Sequence, residues 1–189
     1  MAKRNHNFFT VADISLLKKI GGKSYDPTDI NDTDLSDQIK GELWGKTLYW
    51  HDLVLNKLPE FEGETTTRWH NRGQSFSYYT WTRIYKIGDK GKGIFFTIGV
   101  DGPSDALIYK LDFKSEGASN MGGYQKEVCE TIIKESPASW AQINAGDLSK
   151  YDWKKLVNET VDFIKKYENS SISTVGGVDE PHKTGTSIK

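Results

Sequence analysis

The side chains best suited to chemistry lie between residues 68 and 114, where aromatic and basic residues interleave: Trp69, Arg72, Tyr79, Trp81, Arg83, Tyr85, Lys90 and Lys92. Residues 75–86 read SFSYYTWTRIYK, a strand with rings at both even and odd positions. A strand sends successive side chains to opposite faces, and one face is enough for a core. With Phe76, Tyr78, Thr80, Thr82, Ile84 and Lys86 turned inward, Tyr79, Trp81 and Tyr85 flank Arg83 on the other side. Rings stack on bases, and a guanidinium adds cation–π or phosphate contacts. A pocket of rings also suits a base taken out of the duplex. The competing expectation is that helices cover this face as well, which makes the rings core. Trp69, Arg72, Lys90 and Lys92 fall in loops at the strand ends, within reach of a phosphate backbone; soluble hairpin tips have the same composition.

A second constellation is catalytic in type. Asp101, Asp112 and Lys114 give an acid followed by D-x-K on consecutive strands, the set with which a magnesium-dependent nuclease holds its ion and positions water. Two plainer readings compete. Asp101-Gly102-Pro103 is a good turn, and Asp112-x-Lys114 resembles any solvated strand end. This nuclease reading ranks third among the functions considered.

Other familiar patterns fail at defined positions. Gly21-Gly22-Lys23-Ser24 matches the end of a phosphate-binding loop, but Leu17 stands where that loop needs glycine, and a helix precedes it instead of a strand. In the acidic run from Asp29, a calcium loop would need glycine at Asp34 and glutamate at Lys40. The histidines at 6, 51, 70 and 182 lack ligand spacing, and the single Cys129 can build neither a disulfide nor a thiolate metal site. No serine occupies a G-x-S-x-G elbow. We therefore expect no catalytic residues, no metal and no cofactor.

Charge is distributed unevenly. The 189 residues carry a formal net charge of −1, which argues against a general nucleic-acid coat. Residues 65–114, however, hold eight basic and four acidic side chains, whereas residues 25–64 hold three and ten. The basic excess thus coincides with the aromatic strands. No apolar run has membrane-spanning length, and the first residues lack a continuous apolar stretch with a cleavage site. The expectation is a cytoplasmic protein.

The elements that must position these residues follow from periodicity. Residues 8–20 predict a helix with Thr10 as N-cap, Asp13 completing a capping box and Gly21-Gly22 at the end. Residues 25–37 predict a loop. Residues 47–58 predict a second helix closed by Pro59. Residues 93–100 and 106–113 alternate with period two, as in an antiparallel sheet solvated on one side, and Ile98 and Leu111 fall on the core face. Helices are predicted over 124–136 and 152–167. The fold class is α+β: an antiparallel sheet of about four or more strands packed against N- and C-terminal helices, in one domain over residues 8–168. The glycine- and serine-rich residues 169–189 are expected to form a flexible polar tail or linker.

The run FSYYTWTRIYKI followed by GIFFTIGVDG and ALIYKLDFK resembles the N-terminal DNA-reading modules of prokaryotic modification-dependent restriction and defence proteins, over roughly residues 44–167. The resemblance implies an α+β module that reads DNA, often a modified base, ahead of a nuclease or motor domain or subunit. The leading expectation is accordingly a non-catalytic nucleic-acid-binding module with DNA as partner. The alternative is a protein-interaction or regulatory domain using the same aromatic face, since Trp, Tyr and Arg also dominate protein hot spots.

Overall fold

Alternating side chains along three long strands build the centre of the molecule. A computed structural model describes residues 6–65, 70, 71, 74–88, 90, 94–113 and 140–176. Its main sheet has five antiparallel strands in the order β1-β4-β5-β6-β7: β1 (Phe61–Thr65), β4 (Tyr79–Lys86), β5 (Ile94–Asp101), β6 (Ala106–Phe113) and β7 (Trp140–Asn144). A short hairpin, β2 (His70–Asn71) with β3 (Ser75–Phe76), lies between β1 and β4 in sequence. Helices from both ends of the described chain complete an α+β fold.

One face of the sheet carries the core. Ile84 from β4, Phe96, Ile98 and Val100 from β5, Leu107, Tyr109 and Leu111 from β6 and Ile143 from β7 form one buried cluster. Helices α1 (Val11–Ile20), α3 (Gly45–Leu55) and α4 (Trp153–Gly176) supply its other half through Ile14, Leu17, Trp50, Val54, Leu156, Val157 and Ile164. Fully burying a side chain of this size contributes about 1.5–3 kcal/mol. Two pairs of polar groups bridge the helices and the core at this junction. The hydroxyls of Thr47 and Thr80 lie 2.7 Å apart, and the Trp50 indole N–H donates to the Thr160 hydroxyl at 3.2 Å.

The first helix follows its sequence signals. Thr10 accepts from the Asp13 backbone N–H, and the Asp13 carboxylate accepts from the Thr10 N–H, forming the predicted capping box. Gly21 ends the helix, its N–H donating to the Leu17 carbonyl. Gly22 has φ +77°, and the Tyr78 hydroxyl fills the space a β-carbon would take there. The amides are spoken for: Gly22 N–H donates to Phe76 and Lys23 N–H to Ile20. The phosphate-loop lookalike is therefore a helix cap with a tyrosine seated on it.

Four expectations need correction. The acidic stretch forms α2 (Ile30–Gln38) rather than a loop up to Asp37, because Asp29 caps it by accepting from the Asn31 N–H. That helix runs through a π-helical stretch (Ile39–Trp44) into α3, so the second helix begins before Thr47. The strand predicted over 75–86 breaks at Ser77-Tyr78, where the Ser77 hydroxyl donates to the Tyr79 carbonyl. Tyr78 consequently leaves the inward face and is exposed. The helix α4 extends to Gly176, past Asn169, where composition alone predicted a tail. Residues 177–189, the predicted helix over 124–136 and Cys129 lie outside the described residues.

Candidate nucleic-acid interface

Strand β4 joins the core to the opposite face of the sheet. Its even residues Thr80, Thr82 and Ile84 are buried beneath the helices, as the alternation predicts. Its odd residues turn the other way, and the ladder sets their neighbours: Tyr79 opposite Asp101, Trp81 opposite Gly99 and Arg83 opposite Thr97. On the far side, Arg83 faces Glu64 and Tyr85 faces Glu62. Gly99 is required by this register. A β-carbon there would lie 1.8 Å from the Thr80 carbonyl oxygen, so no side chain fits between β4 and β5.

The rings of Tyr79 and Trp81 pack against each other, with centroids 4.2 Å apart and planes inclined by 42°. Both are half-buried, as is Arg83 two residues on. The Arg83 guanidinium lies 4.7 Å from the centroid of Phe95 and 3.9 Å from the Glu64 carboxylate. These contacts hold the cation in place beside the ring pair. Lys90, in the β4–β5 turn, is exposed, and its ammonium stands 6.0 Å from the Tyr85 ring.

Tyr85 corrects the sequence reading. It was expected beside Arg83 on an open face, yet it is fully buried, and its hydroxyl donates to Glu64 at 2.8 Å. Burial, reinforced by the Glu64 carboxylate, pushes its phenol up to about 12. The expectation of a solvated second face fails in the same region. From Ile94 to Val100, β5 is buried on both sides, and Ile108 on β6 is 2% exposed. Of the expected site residues that are described, Tyr79, Trp81, Arg83 and Lys90 keep some exposure, and the exposed Glu62 and half-buried Glu64 of β1 share the face with them. Beyond it, the Lys110 ammonium lies 3.0 Å from Asp112, which also accepts from the Thr97 hydroxyl at 3.2 Å.

The nuclease constellation is not brought together. Asp101 lies opposite Ala106, whereas Asp112 lies opposite Phe95, six ladder positions away. At about 3.4 Å per residue the two carboxylates stand roughly 20 Å apart, too far to share an ion. Asp101 instead accepts from the Ser104 hydroxyl at 3.1 Å, as a turn residue does. Among the described residues, no group of three or more His, Cys, Asp or Glu gathers at metal-binding distance, and no helix is long and apolar enough to cross a membrane. Trp69, Arg72, Lys92 and Lys114 lie outside the described residues.

Sequence reasoning missed Glu64 and Phe95, the residues that anchor Arg83. Glu64 belongs to the acidic block, so block-wise charge counting placed it away from the basic strands. Phe95 falls on the face that the alternation leaves to solvent, and only the packing of β4 against β5 brings it against Arg83. Comparison with protein-family models, curated proteins and solved structures finds no match for this chain.

Proposed function

We propose that the chain is a non-catalytic nucleic-acid-binding module, a reader of DNA working in the cytoplasm for a nuclease or motor partner. A modified base is the ligand that the resemblance noted above implies. The supporting observation is the half-buried Tyr79–Trp81 pair beside Arg83 on the sheet face away from the helices. Two adjoining rings offer a platform for a base, and the cation next to them suits a phosphate or the base edge. Lys90, in the turn past the other end of β4, adds a cation beside Tyr85, with Arg83 between it and the ring pair.

One observation favours the alternative, a protein-interaction domain. Arg83 and Lys110 each have a carboxylate within 4 Å, so the face is a mosaic of charge and not a uniformly cationic stripe. Salt dependence separates the two readings. A titration of the chain against plain and base-modified duplex DNA at two salt concentrations is expected to show affinity falling steeply with salt, because phosphate contacts release counterions. Absence of DNA binding at low salt would sink the nucleic-acid reading and leave the protein partner.

A further inference from the structure

Behind Arg83, on the core side of β1 and β4, lies a titratable group one of whose nitrogens has no hydrogen-bond partner among the described residues. His51 of α3 is 4% exposed. Its Nδ1 lies 3.3 Å from the Asp52 carboxylate, which fixes that nitrogen as the protonated one. Its Nε2 is then a lone-pair acceptor, and it is buried with no hydrogen bond among the described residues. The ring occupies room left by Gly63 on β1, where a β-carbon would lie 2.0 Å from Nε2. The Thr82 hydroxyl of β4, also turned to this side, likewise has no partner among the described residues.

The charged surroundings are sparse. On its own helix, Asp52 favours the protonated ring, and Lys46 is engaged with Asp13 at 2.7 Å. From β4 the Arg83 backbone stands ready to accept from the protonated ring, while the Arg83 guanidinium is on the opposite face against Phe95. From β1, Glu62 and Glu64 alternate to that opposite face with Tyr85 and Arg83. The Glu159 carboxylate of α4 acts on Tyr109 and Tyr151, and the part of β5 on this side offers Phe96 and Ile98. Among the described residues, the backbone acceptor indicated for the protonated ring is that of Arg83, the residue whose side chain flanks Trp81.

We propose that His51 is a pH-responsive lever behind the candidate interface: protonation at Nε2 is met by the Arg83 backbone and transmitted through β4 to the face that carries Trp81 and Arg83. A buried cation replaces a buried lone pair, and an acceptor must be drawn to it. The strand pairs on both sides, with Glu64 and with Thr97, at that residue, so a shift there moves the interface side chain. That this alters ligand binding rests on the function proposed above; the coupling within β4 does not.

The test is an amide and histidine-ring NMR titration of the full chain between about pH 8 and pH 5. The expected result is that the backbone signals of Arg83 and Glu64 move with the same midpoint as the His51 ring, and that His51→Gln abolishes that movement. Signals of Arg83 and Glu64 that stay fixed while His51 titrates, or that move equally in the variant, would overturn the lever. If His51→Gln does not fold, the wild-type chain decides alone, with a shared midpoint supporting the coupling and separate midpoints ending it. Duplex DNA affinity, measured over the same range, is expected to change by about threefold or more in the wild type and to be flat in the variant. A shared NMR midpoint with no DNA binding at any pH sinks the interface reading and keeps the lever. Separate midpoints with pH-independent DNA affinity sink the lever alone.

Discussion

At Arg83 a cation is held between a ring and a carboxylate, and that single placement decides how the neighbouring side chains behave. Glu64 serves two donors, Arg83 at the edge and Tyr85 beneath it. Tyr85→Phe removes one hydrogen bond from a fully buried phenol and is expected to lower stability by about 1 kcal/mol in denaturant melts, with DNA affinity nearly unchanged. A large affinity loss in that variant would mean the phenol itself contacts ligand. His51 makes a separate prediction at this scale. Burial lowers its pKa below the ordinary 6.5, so the neutral ring is the folded form, and Asp52 offsets this only in part. Below about pH 6.5 the unfolded chain takes up the proton before the folded one does, so stability falls as pH drops through this window and levels off beneath the folded pKa. The measurement is the denaturant midpoint against pH, and His51→Gln is expected to show a shallower slope over that window.

Among the elements, those with strict periodicity were legible in the sequence and those set by tertiary partners were not. The strand β6 was found at its observed ends because apolar and polar residues alternate throughout it. Its Leu111 lies in the main core cluster, and Leu111→Ala is expected to cost about 2–5 kcal/mol in a denaturant melt. A change near zero would contradict the core assignment. The short edge strands β1 and β7 escaped notice because their pairing is set by β4 and β6, and FEGET has too few apolar positions for a pattern. The helix α2 escaped because it buries little and rests on its Asp29 cap. The turn after α1 was legible as a cap, but the reason for its second glycine was not, since Tyr78 comes from far along the chain. Gly22→Ala is expected to cost roughly 1–2 kcal/mol for the left-handed backbone alone, and to displace the Tyr78 ring, visible as a change in its NMR signals.

On the scale of the whole molecule, strand β4 has the helices on one side and the candidate interface on the other. The sequence identified this strand as two-faced, and that held for Tyr79, Trp81 and Arg83. It could not show that Phe95 and Tyr85 are buried on the second face, because burial there depends on what packs around the strand, which periodicity does not encode. The interface is accordingly smaller than composition implied, with the ring pair at one end of it and Arg83 next along β4. The direct test is DNA affinity and melting measured side by side on the wild type and Trp81→Ala. Stacking on a base is worth about 1–3 kcal/mol, so the variant is expected to remain folded and to bind roughly ten- to a hundred-fold more weakly. A folded Trp81→Ala chain that binds DNA as tightly as the wild type would contradict it.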